Sequence, residues 1–176
     1  MADLIQEVEI AASPETVWEE LTKRGSPQRP QMDTVLESSL QPGGPILYTS
    51  HDGKRVFVVG RVVEIDPPRR LSHSWRLTMR DDEPTLVTWE LERSGDGTRV
   101  RLTHTGWPED VKGLGRVDST WRTILEELRN VVERGELSTK SRLMFGLQRR
   151  FAFALPKKTK RENAQPEPEE QLARWR

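Results

Sequence analysis

The stretch from Leu86 to Glu133 constrains the fold more than any other part of the chain. Residues Leu86 to Arg93 alternate, Ser94-Gly95-Asp96-Gly97 follows, and Thr98 to Trp107 alternate again. Val87, Trp89 and Leu91 share one face of the first run, against Thr88, Glu90 and Glu92. Val100, Leu102 and His104 share a face of the second, against Arg99, Arg101, Thr103 and Thr105. Period-two alternation on both sides of a turn predicts a β-hairpin with one wet face and one covered face. Beyond a break at Pro108, apolar residues recur at Val111, Leu114, Val117, Trp121, Ile124, Leu125, Leu128, Val131 and Val132. Spacings of three and four predict an amphipathic helix from Val111 to Arg134, and it is the natural cover for the hairpin.

The preceding residues supply more of the same sheet. Leu4 to Ile10 alternates as a first strand. Ser13-Pro14-Glu15 is a helix start, with Ser at the N-cap and Pro in the first turn, and Val17, Trp18 and Leu21 form its buried stripe. Lys23-Arg24-Gly25 is its expected end. Ser26 to Gln31 carries two prolines and reads as a loop or single turn. Strands are predicted at Thr34–Leu40, Ile46–Ser50, Arg55–Ile65 and Leu71–Thr78, with turns at Pro42–Pro45, Asp52-Gly53 and Asp66–Arg69. The order is strand, helix, six strands, long helix. Hairpin-length connections make the strands an antiparallel meander, an α+β layer architecture.

Charge divides the chain where the sheet-and-helix pattern stops. Residues 1–137 carry 18 Lys and Arg against 24 Asp and Glu, whereas 138–161 carry eight basic residues and no acid. Three parts follow: a domain over 1–136, a basic amphipathic helical extension over 137–156, and a charged tail over 157–176 whose composition predicts disorder. In the extension Leu143, Met144, Leu147, Phe151 and Leu155 form the predicted stripe, with Phe145 and Phe153 off it. An acidic body argues against nucleic-acid binding, and Arg61, Arg99 and Arg101 beside Glu90 and Glu92 read as a solvated outer face. The absence of cysteine removes disulfides and thiolate chemistry. No apolar run is long enough to span a bilayer and the first residues lack a signal peptide, so a cytoplasmic location is expected.

Several of these segments resemble a known family. Ile10-Ala-Ala-Ser-Pro-Glu-Thr-Val-Trp18, Gly60 to Leu71, Ser74-Trp75, Gly95 to Gly106 and Trp121 to Leu128 are similar, in the same order, to the START-like (SRPBCC) superfamily. The nearest branch is the one named for the activator of the heat-shock-protein-ninety ATPase. The resemblance covers about residues 1–135. It implies a helix-grip fold, in which a curved seven-stranded antiparallel sheet wraps around a long C-terminal helix with a cavity between. It further implies binding of a small hydrophobic or amphipathic molecule, a co-chaperone-like protein-interaction module, or an enzyme acting on an aromatic or polyketide-like substrate. Gly25 to Gln31 lacks the aromatic-rich motif common in the branch, and everything after Ser138 lies outside it.

The candidate ligand-binding residues are those whose strand or helix face points at the expected cavity: Tyr48, His73, Trp75, Trp89, His104 and Trp121. Indoles with two imidazoles and a phenol make an apolar pocket with a few orienting polar groups. The competing explanation is that they are satisfied core residues, since a buried imidazole must find a partner. No nucleophile elbow, paired carboxylates or zinc-type spacing accompanies the histidines, so neither catalytic residues, a metal nor another cofactor is assigned. Residues 139–158 are expected to dock on a membrane surface, on the body of the chain or on a second subunit, the alternative being a disordered segment that only keeps the chain soluble.

Overall fold

The computed structural model describes residues 2–108, 113–150, 155–166 and 168–175. Strand β1 (Ala2–Ile10) leads into helix α1 (Pro14–Leu21), which the Ser13 hydroxyl caps by accepting from the Thr16 amide. The helix stops four residues before Gly25, because the Thr22 amide and hydroxyl both close on the Trp18 carbonyl. Strands β2 (Pro27–Gln28), β3 (Thr34–Ser38), β4 (Pro45–Thr49), β5 (Val56–Asp66), β6 (Arg70–Leu77), β7 (Thr85–Ser94) and β8 (Gly97–Trp107) complete one sheet of order β1-β8-β7-β6-β5-β4-β3-β2. Every neighbouring pair is antiparallel. Helix α2 (Leu114–Arg134) packs against β1 at one edge and against the 3₁₀ turn Arg29–Gln31 near the other, so the sheet curves around it.

This is the expected helix-grip architecture with eight strands instead of seven. The additional strand, β2, lies in the stretch read from sequence as a loop. It has no periodicity of its own. It is held by the Gln28 amide, which donates to the Leu21 and Lys23 carbonyls at 2.8 and 2.9 Å. Helix α2 ends at Arg134, as predicted, and Gly135 closes it with a φ of 74° that suits the left-handed cap. Val111, its expected first apolar position, lies outside the described residues. On the outer face Arg99 and Arg101 pair with Glu9 and Glu7 of β1 at 2.9 and 3.1 Å, while Glu90 takes Arg70.

The core fills the concave side. Val87, Trp89 and Leu91 of β7 and Val100 and Leu102 of β8 are buried against Trp121, Ile124, Leu125 and Leu128 of α2. Gly60 marks the tightest approach between β5 and β6, since a Cβ there would lie 1.9 Å from the Ser74 carbonyl oxygen. Gly60→Ala is therefore expected to destabilise the protein by about 1–3 kcal/mol. A urea melt that leaves the midpoint unchanged would show that the two strands can part without cost.

Beyond α2 the Glu127 carboxylate joins the last two helices. Burial pushes its pKa up, but bonds from the Ser138 hydroxyl and amide, 2.5 and 2.9 Å, outweigh this and hold it below the usual range. Helix α3 (Thr139–Arg150) follows. Its buried positions are Ser141 and Phe145, while Leu143 and Leu147 of the predicted stripe are exposed. The stripe is therefore on the opposite side from the one facing the body. Phe151 and Phe153 lie outside the described residues.

The tail, expected from composition to be disordered, is laid along the convex face of the sheet as three short 3₁₀ segments, Lys157–Thr159, Arg161–Asn163 and Glu169–Trp175. Scattered anchors replace a contiguous apolar face. Ala164 packs with Val56 and Val59, Leu172 is fully buried, and Trp175 stacks over Gly106. Lys158–Asp81, Arg161–Glu37 and Arg174–Glu83 ion pairs fasten it, at 2.5, 2.6 and 3.6 Å.

Candidate functional site

All six predicted residues lie on the concave side and are at most 9% exposed. Pleating explains the four strand positions nearest the centre. His73 faces Val62 across the β5–β6 pair, His104 faces Val87 across β7–β8, Trp89 faces Leu102, and Trp75 follows His73 at the next inward position. Tyr48 comes from β4 and Trp121 from α2. The structure sorts them into two groups with different chemistry.

The larger group is a closed aromatic node. The Trp121 Nε1–H donates to His104 Nδ1 at 2.8 Å. Thr85 Oγ1 lies 2.7 Å from His104 Nε2 and donates its own hydrogen to the Trp75 carbonyl at 2.9 Å. The directions leave one consistent assignment: His104 is neutral, with its proton on Nε2, donating to Thr85. Trp75 and Trp107 pack on the His104 ring at centroid distances of 4.9 and 4.8 Å, and Trp89 meets Trp121 edge-on at 5.9 Å. Burial, with His73 nearby, pushes the His104 pKa down to about 3. Both of its nitrogens are engaged, so it has no lone pair to act as a base. Thr85 and Trp107 belong to this node as much as the predicted members do. Trp107 is the last residue of its alternating run, and Thr85 carries no sequence signal beyond its place at a strand start.

The smaller group is Tyr48 and His73, with ring centroids 6.3 Å apart. His73 Nδ1–H donates to the Ser74 carbonyl at 2.8 Å, which leaves Nε2 a bare acceptor. That Nε2 is buried and has no hydrogen-bond partner among the described residues. Desolvation drives the His73 pKa down to about 4, the Ser74 bond partly opposing it. The Tyr48 hydroxyl accepts from the Gln31 amide at a long 3.5 Å and donates to nothing among the described residues. Burial pushes the phenol pKa up. A free donor and a free acceptor thus sit in one dry region. Leaving such groups unmet costs about 1–3 kcal/mol each, so the pair calls for an explanation. Gln31, invisible to sequence reasoning because it lay in an apparent loop, is the third member.

Gln31 also lines a crevice between α1, α2 and the Arg29–Gln31 turn, together with Glu20, Leu21, Pro30, Trp89, Ile124 and Leu128, with no space for a water molecule. Arg29 ties the turn to α2 through the Gly135 carbonyl at 2.8 Å, and His51 ties its far end through the Asp33 carbonyl at 2.7 Å. Met32 and Asp33, at the end of the turn, have φ of 56° and 61°. Residues other than glycine rarely adopt that conformation. A separate open groove of about 710 Å³ lies between the end of α1 and β3 and contains none of the six residues. Among the described residues no group of three or more His, Asp or Glu could hold a metal ion, and no helix is long and apolar enough to cross a membrane.

Comparison with known proteins bears on the fold. The sequence model of the family described as Activator of Hsp90 ATPase homolog 1-like protein matches residues 11–133. No curated protein matches. Among solved structures, the Aha1 dimer from Colwellia psychrerythraea is similar at 20% identity, covering 77% of this chain and 99% of that one, with a TM-score of 0.65. CalU16 from Micromonospora echinospora is similar at 24% identity over 86% of each chain, TM-score 0.61. PFC0360w, an HSP90 activator from Plasmodium falciparum, is similar at 21% identity, covering 73% and 93%, TM-score 0.56.

Proposed function

The chain belongs to the Activator of Hsp90 ATPase homolog 1-like family, within the START-like fold, and from that premise we propose that it binds a small amphipathic molecule at Tyr48 and His73. One observation carries this: the unmet His73 Nε2 acceptor beside the Tyr48 hydroxyl, both buried. A single ligand hydroxyl would accept from Tyr48 and donate to His73, while its apolar body lies along Leu21, Trp89, Ile124 and Leu128. Trp75, His104 and Trp121, candidates on sequence grounds, serve instead as the rigid wall. The Pro27–Asp33 segment acts as the lid, because the crevice it closes has no room for a ligand as it stands. Entry then draws on an open form, and the apparent affinity is reduced by the fraction of molecules in that form.

A medium-chain alcohol has the required chemistry. Titrating 1-octanol into the protein is expected to give a saturable change in tryptophan fluorescence, since Trp89 lines the crevice. Tyr48→Phe is expected to weaken binding about 3- to 10-fold, the worth of one hydrogen bond, with the folded spectrum retained. Absence of saturable binding, or equal affinity in the variant, would refute the proposal.

The closed interior favours a second reading, a co-chaperone-like interaction module in which the concave side is only scaffold. Its mark would be a raised ATP hydrolysis rate of an Hsp90-type chaperone on addition of the protein, unchanged in Tyr48→Phe.

A further inference from the structure

We propose that helix α3 docks the protein on an anionic membrane surface. The basic residues after Ser138 do two different things. Lys158, Arg161 and Arg174 are consumed in ion pairs that fasten the tail to Asp81, Glu37 and Glu83. Lys140, Arg142 and Arg150 make no ion pair among the described residues and are exposed. These three lie around the most exposed large apolar side chains among the described residues: Leu143 is 76% exposed and Leu147 57%, with Met144 beside them at 37%.

The helix has two faces about half a turn apart. Ser141 and Phe145, four residues apart, are each 3% exposed and seat it on the body. Leu143 and Leu147, also four apart, look away. The joint is firm, because the Glu127 carboxylate holds Ser138 at the start of the helix. An outward leucine pair ringed by unpaired cations, in a stretch of 24 residues (138–161) without one acid, matches an interface of acyl chains and anionic headgroups. The leucines enter the acyl boundary while the long basic side chains reach back to the headgroups. An acidic protein surface would satisfy the cations but would leave Leu143 and Leu147 without an apolar partner. That choice of occupant is what the test must decide.

The full chain is to be floated with phosphatidylcholine vesicles, with and without phosphatidylserine. Binding is expected only to the anionic vesicles, and it should weaken as salt shortens the screening length. Lys140→Glu with Arg142→Glu is expected to weaken binding by tenfold or more, since each cation near such a surface contributes about fivefold. Leu143→Asp with Leu147→Asp is expected to abolish it. All four positions are exposed, so the circular dichroism of both variants should match the parent. No flotation at low salt would overturn the proposal, as would equal flotation of the parent and either double variant. A concentration-dependent dimer that dissociates in Leu143→Asp/Leu147→Asp, without vesicle binding, would overturn it in favour of a subunit interface.

Discussion

Trp121→Ala is expected to lower the unfolding free energy by about 3–5 kcal/mol, the range for removing a large aromatic side chain from a packed core. Trp121 is 5% exposed, packs edge-on to Trp89, and donates to His104. Trp121→Phe separates the contributions. It keeps much of the ring volume but leaves His104 Nδ1 buried without a donor, which should cost about 1–3 kcal/mol by itself. His73→Leu is the control. Its Nε2 already lacks a partner, so removing the imidazole relieves one unmet acceptor and should cost much less than Trp121→Phe. Two histidines on the same sheet face thus belong to groups with different responses. Chemical denaturation of the three variants, followed by far-ultraviolet circular dichroism, gives the ranking. Equal losses in Trp121→Phe and His73→Leu would contradict the difference between a His104 with both nitrogens bonded and a His73 with one unmet.

Acid should unfold the protein through these same imidazoles. Both are neutral when folded, with pKa values pushed by burial from 6.5 down to about 4 for His73 and about 3 for His104. The unfolded chain takes up these protons first. Stability is therefore fully present above pH 6.5 and is lost as pH falls toward 4 and then 3, at up to about 1.4 kcal/mol per pH unit for each histidine. With both, the slope approaches about 3 kcal/mol per unit in the lower half of that window. Carboxylates with depressed pKa values, Asp52, Asp81 and Glu127 among them, contribute losses only near and below the ordinary carboxylate range. The interval from pH 6.5 to 5 consequently isolates the histidines. Unfolding free energies measured across it should fall steadily, with about half the slope in His73→Leu. A flat profile would mean that water reaches the imidazoles in the folded state.

The sequence exposed the parts of the fold that are locally periodic. Val87, Trp89 and Leu91 against Glu90 and Glu92 announce β7, and Trp121 to Val132 announce α2. Strand β2 escaped because two residues have no period, and Gln28 is held by carbonyls elsewhere in the chain. The tail escaped because Ala164, Leu172 and Trp175 are too far apart to form a stripe, and their partners are distant in sequence. In α3 the stripe was legible but not its direction, since the side that packs is chosen by Ser141 and Phe145 against the body. The candidate site divides in the same way. Pleating placed His73 and His104 on one inward face. Which nitrogen is met depends on Thr85 and Trp121 for His104 and on the Ser74 carbonyl for His73, and the alternation does not report those pairings.

If a ligand hydroxyl binds at the unmet acceptor of His73, imidazole nitrogen NMR during the 1-octanol titration reads that contact. The His73 Nε2 resonance should move in step with the tryptophan signal as a bare acceptor gains a hydrogen bond. The His104 nitrogens, already bonded to Thr85 and Trp121, should stay in place. A His73 resonance that remains fixed while octanol saturates the fluorescence change would contradict the account and put the ligand elsewhere.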